Sequence, residues 1–203
     1  GKRTASVSTN GVAPVEALAE RAVAMARVAP EDRFAGLAPE ERLAKSWPDL
    51  DLLDPSIPDP EMLAERARRA EAAALAVAGV TKSSGASAGW GLTGAVIATS
   101  HGFLGSYLGS RHGVSATAIA GEGTGMERDY DGDSKVYGSD LRDPEAIGRE
   151  AGERAVRRLN PGRLPTGRGT VVFDPRLASS LVGHLLGAIN GAAIARRTSF
   201  LQN

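Results

Sequence analysis

One histidine, His184, stands in the apolar, glycine-punctuated run SSLVGHLLGAINGAA at residues 179–193. A helix carrying two histidines and a glutamate within one or two turns can hold a catalytic zinc ion, which needs three protein ligands and one open position. His184 has no such companions, so these residues alone form no zinc site. Leu177, Leu181, His184 and Ala188 fall at helical spacing. That spacing predicts a helix with the histidine on its apolar face, buried and paired with a carbonyl or carboxylate.

Four other patterns invite a chemical reading. GASAG at residues 85–89 fits the nucleophile-elbow pattern around Ser87, but a helix precedes it and a glycine-rich strand follows, the reverse of the strand-to-helix turn that exposes such a serine. DYDGDSKVYGSD at residues 129–140 spaces its acids like a calcium loop. Ser134 stands where that loop needs glycine and Asp140 where it needs glutamate, so a solvated hairpin tip is expected. GEGTG at residues 121–125 has no following helix to aim amides at a phosphate and reads as a turn. His101 and His112 each precede a glycine and are expected as hydrogen-bonded turn histidines at strand ends. Glu122, Glu127 and Asp129 are the acids that could share a metal with them, and Arg111 opposes a cation beside His112.

The elements that position these residues follow from periodicity and punctuation. Residues 2–9 suit a short strand turned by Asn10 and Gly11, and Val15, Leu18, Ala22 and Met25 then mark a packing helix over residues 14–28. Five prolines between residues 29 and 59 deny that stretch long regular elements, so it reads as an extended wrapping connection pinned by Trp47, Leu50, Leu52, Leu53 and Ile57. DPE at residues 59–61 and again at 143–145 starts a helix, with Asp as cap and Pro in the first turn. The first should run to about Ala78. The second carries the stripe Ile147, Ala151, Ala155 and Leu159 and ends at NPG, residues 160–162. Residues 79–140 read as an antiparallel meander with turns at SHG, GSRHG, GEGTG and DGDS, and GTVVF at 169–173 as a strand before a fourth helix. The fold class is α+β.

Composition bounds the rest. Twenty-four basic residues balance 24 acidic ones, and aromatics make up 4% of 203 residues, which argues against gripping nucleic acid through phosphates or stacked bases. With no cysteine, thiolate ligands and disulfides are excluded, and the cytoplasm is the expected compartment. No run is long and apolar enough to span a membrane, and the start GKRTASVSTN lacks the apolar core of a signal peptide.

SHGFLGSYLGSRHGVSATAIA (residues 100–120), GMERDYDGD (125–133) and GHLLGAINGAAIARRTSFL (183–201) resemble the TldD/TldE family, also called modulator of DNA gyrase, in its TldE (PmbA) branch. The resemblance implies an internal piece of a chain about twice as long: residues 1–163 from the later part of the amino-terminal α/β domain, and 164–203 opening the carboxy-terminal one. In the TldD branch the matching segment reads HExxxH. Here Gly183 takes the place of the first histidine, His184 of the glutamate and Ala188 of the second histidine, so the resemblance implies no metal in this chain and zinc in a TldD-type partner. It further implies a cytoplasmic complex cleaving small unfolded peptides, without direct nucleic-acid or membrane contact. A self-contained homodimer that binds peptides at exposed strand edges is the alternative. Gly183, Gly187 and Gly191, spaced by four, would open one helix face to a peptide or partner, with His184 lining the same cleft or interface.

Overall fold

The computed structural model describes residues 2–12 and 14–202. They fall into two compact units, Gly1–Asn160 and Pro161–Asn203.

In the first unit, three antiparallel strands lie in the order β1 (Val80–Ala98), β2 (Leu104–Ala120), β3 (Glu127–Lys135), confirming the α+β class. Two of the four expected turns occur. SHG closes the β1–β2 hairpin and GEGTG joins β2 to β3. GSRHG and DGDS are strand interior instead: β2 runs through Arg111–His112, which pair with Gly91 and Trp90, and β3 runs through Asp131–Ser134. Pairing with a neighbouring strand, β1 for Gly109–Gly113 and β2 for Asp131–Ser134, holds these residues extended and overrides their turn tendency.

Both DPE sequences cap helices as their chemistry requires. α2 (Pro60–Leu75) begins where the Asp59 carboxylate accepts the Glu61 amide at 2.7 Å, and α3 (Pro144–Arg157) where Asp143 accepts the Glu145 amide at 2.7 Å. The core is made where these helices cover one face of β2. Ala70 and Ala74 of α2, Ile147, Ala151 and Ala155 of α3, and Val114, Ala116, Ala118 and Ala120 of β2 are all buried. Small residues let the backbones approach closely: a Cβ on Gly148 would stand 1.9 Å from the Ala70 carbonyl oxygen. Gly121, at φ +77°, is similarly fixed by the Leu159 side chain, 2.8 Å from where its Cβ would be.

Asp129, Asp131 and Asp133 alternate along β3 and therefore share one face. They form no exposed tip, since Asp129 and Asp131 are buried and Asp133 nearly so, each facing basic groups. Arg158 reaches Asp129 at 2.9 Å, Arg154 and Arg142 reach Asp131 at 2.8 and 2.7 Å, and the Arg142 amide bonds Asp133 at 3.0 Å. Burial raises the Asp133 carboxyl, but the Arg142 and Ser134 amides and Lys135 outweigh it and hold the group below its ordinary value. The calcium-like spacing is thus a carboxylate ladder answered by arginines from the flanking chain.

Helix α1 (Val15–Val28) forms where expected but buries no residue, and Val15 and Met25 of its stripe are exposed. Residues 2–9 join no sheet.

In the second unit, GTVVF is likewise outside any strand, for no neighbouring strand completes its hydrogen bonds. A short 3-10 turn, Pro175–Leu177, leads into α4 (Ala178–Ala188), and α5 (Gly191–Ala195) follows, capped by the Asn190 side chain. Among the described residues, no helix is long and apolar enough to cross a membrane.

Candidate functional site

The segment that raised zinc chemistry is helical, as its spacing predicts, but His184 is exposed rather than buried. Leu177 and Leu181 beside it are also exposed, and Ala188 is the buried residue of α4. The 43 residues of this unit give the apolar face too little to pack against. Gly183 and Gly187 share this helix and would meet nothing within 4 Å if given a Cβ. Gly191 belongs to α5, beyond a break at Ile189–Asn190, so the spacing by four does not continue as a single helix face. Zinc does not fit this donor set: Gly183 and Ala188 offer no ligand atom, and one imidazole is short of the three protein ligands a catalytic site uses.

The other sequence candidates are dispersed. Ser87 lies mid-strand, its hydroxyl 3.0 Å from that of Ser115 on the neighbouring strand. His101, at the hairpin turn, bonds the Ala38 carbonyl through Nδ1 at 2.9 Å, as a turn histidine should. β2 separates His101 from Glu122 by roughly 50 Å of strand at about 3.3 Å per residue, so the two share no ion. Among the described residues, no group of three or more acids or histidines is placed to hold a metal.

His112 departs most from expectation. It sits inside β2, 2% exposed, with its Nε2 3.1 Å from Oδ2 of Asp54, which is 5% exposed. The two atoms are close but not aligned for a hydrogen bond, and neither ring nitrogen has a hydrogen-bond partner. The Trp90 ring lies across the strand pair, 6.5 Å between centroids, and Gly138 lies against the imidazole. Arg111 points the other way, as strand alternation requires, and is exposed.

Asp54 belongs to the wrapping segment, which forms a strap over the edge of β2. Its carboxylate accepts the amides of Gly138 (2.9 Å) and Ser56 (2.8 Å), while its own amide donates to the Ser110 hydroxyl at 2.7 Å. Those two amides, Gly138 first, hold its carboxyl at about 2, with a smaller contribution from His112 and burial acting in opposition. Tyr137 donates to Asp51 and to the Leu53 carbonyl. The bond to Asp51, reinforced by burial and by the charges of Asp51, Asp54 and Asp49, pushes the Tyr137 phenol up to about 12. The Ser110 amide completes the attachment at 2.8 Å from the Leu52 carbonyl. A pocket of about 430 Å³ opens beside this cluster, lined by Asp54, Ile57, Met62, Arg66 and His112 among others. Asp54 and His112 are 58 positions apart, and nothing local marks either as a partner of the other; only the register of the strap on β2 unites them.

A three-stranded antiparallel sheet covered on one face by two helices, followed by a separate helical unit, defines an α+β scaffold. Residues 53–159 match the model of the PmbA/TldA metallopeptidase central domain, and the chain belongs to that family. It is 38% identical over 202 residues to the metalloprotease PmbA of Escherichia coli O157:H7 and 33% identical over 201 residues to a PmbA homologue of Haemophilus influenzae. Each alignment covers 98% of this chain and 45% of the relative, so the chain spans about half the length of the proteins it matches. The crystal structure of a candidate modulator of DNA gyrase from Bacteroides thetaiotaomicron superposes with a TM-score of 0.87 at 30% identity, covering 100% of this chain and 47% of that one. TldE from Thermococcus kodakarensis, at 20% identity and a TM-score of 0.52, covers 70% of this chain and 32% of its own and shares the fold.

Proposed function

We propose that this chain is the internal piece of a PmbA/TldE-type subunit without zinc ligands of its own. It works with an HExxxH-bearing, TldD-type partner to cleave small unfolded peptides in the cytoplasm. The observation that carries the reading is the donor set of α4: of Gly183, His184 and Ala188, which by resemblance to the TldD branch stand where its zinc motif stands, His184 alone has a ligand side chain. Membership of a metallopeptidase family and the open glycine face of α4 support it. The subunit then contributes to substrate admission and assembly rather than to water activation.

The test compares the full-length protein alone with the same protein co-expressed with its HExxxH-bearing relative, in an assay of zinc-dependent cleavage of an unstructured peptide. Activity confined to the joint sample is expected. Zinc-dependent activity in the protein alone would overturn the reading and place the ligands elsewhere. Gly187→Leu probes the open face: it should weaken assembly or cleavage, and a variant normal in both removes that face from the proposal.

A further inference from the structure

The strap meets β2 at two points and gapes between them. At one end lies the Ser110–Leu52 bond, the one backbone hydrogen bond joining strap to β2 among the described residues. At the other, Trp47 packs on Phe103 with 6.2 Å between ring centroids, both rings close to Gly105. Between these closures is an opening of about 540 Å³ lined by Trp47, Asp49, Asp51, Leu52, Ser106 and Leu108, with further strap residues and Tyr107.

Its floor is an unused strand edge. β3 pairs with β2 only from His112 onward, so the stretch Leu104–Ser110 has β1 on one side and no strand on the other. The Ser110 amide faces the strap, and by the two-residue repeat of an antiparallel strand the N–H and C=O groups of Ser106 and Leu108 face the same way. Natural edges are blunted by charge, proline or a paired covering segment. This one, LGSYLGS, carries neither charge nor proline, and its covering strap bonds it once. The rim is acidic through Asp49 and Asp51, and no basic side chain lines the opening.

We propose that this gap is a binding site for a short, extended, positively charged peptide segment of about three residues, held as an added strand on Ser106 and Leu108. Backbone pairing supplies the fit, Trp47 and Leu108 the apolar contact, and Asp49 with Asp51 the preference for a cation. The site deepens the peptide-processing reading and rests on it for the class of ligand alone.

The probe is the tripeptide Val-Lys-Val-amide, titrated calorimetrically into the full-length protein. Two isomers, N-methylated at the second or at the third residue, read the backbone. An added strand turns alternate amides inward, so one isomer should bind at least tenfold more weakly and the other like the parent. Asp49→Lys should also weaken the parent at least tenfold, and replacing the probe's lysine by norleucine should do the same. Absence of saturable binding, or equal behaviour of the two methylated isomers, would overturn the site. Zinc-dependent cleavage with the TldD-type partner, assayed on the same unaltered full-length protein, keeps the outcomes separate. Cleavage that persists without tripeptide binding sinks this site and spares the peptidase reading, whereas tripeptide binding without cleavage does the opposite.

Discussion

Asp54 fastens the strap chiefly as an anion, so its contribution to stability depends on pH. Its folded pKa, about 2, lies below the ordinary 3.8. The contribution is therefore complete above 3.8 and is lost as pH falls from 3.8 towards 2. Denaturant midpoints followed across that window should fall more steeply for the native protein than for Asp54→Asn, and parallel curves would deny Asp54 the role. Tyr137 has the opposite sign, because the folded state favours the protonated phenol. Its contribution is complete below 10.0 and disappears as pH rises through about 12. Tyr137→Phe should remove that alkaline slope while leaving the acid one. Of the three histidines, sequence singled out His184 through its apolar setting and treated His112 as a turn residue. Burial reversed them, since what surrounds a side chain depends on strand pairing and helix coverage rather than on its neighbours in the chain.

The elements were legible where local chemistry decides them. Asp59 and Asp143 cap, Pro60 and Pro144 initiate, and Gly121 turns, each through its own backbone. Legibility failed where pairing decides: DGDS looked like a turn because its residues favour turns, yet β2, Arg154 of α3 and Arg142 before that helix hold it extended. The same dependence on a neighbour explains why residues 2–9 and 169–173, for all their strand-like composition, lie in no sheet. Two predictions belong at this scale. Gly148→Ala drives a methyl into the Ala70 carbonyl and should destabilise the unit by about 1–3 kcal/mol in urea unfolding, against little change for Gly187→Ala on the open face of α4. A double-mutant cycle on Asp131→Asn and Arg154→Met should return a coupling of about 1–3 kcal/mol, because this pair is largely removed from solvent. A coupling near zero would mean that Arg142 alone suffices.

Across the whole chain, protection is unevenly distributed. Amide exchange should be slowest in β2, α2 and α3, whose residues form the core, and fastest in α1 and α4, which bury none and one respectively. Slow exchange in α4 of this chain would contradict the burial described above. Seven of the nine core residues are alanine, with Val114 and Ile147 the exceptions. Unfolding such an interior hydrates little hydrocarbon per residue, so its heat-capacity increment should fall below the usual ~12–15 cal/mol/K per residue. The stability curve of the molecule is then shallow in temperature, with folding strength changing little between cold and warm and no sharp optimum.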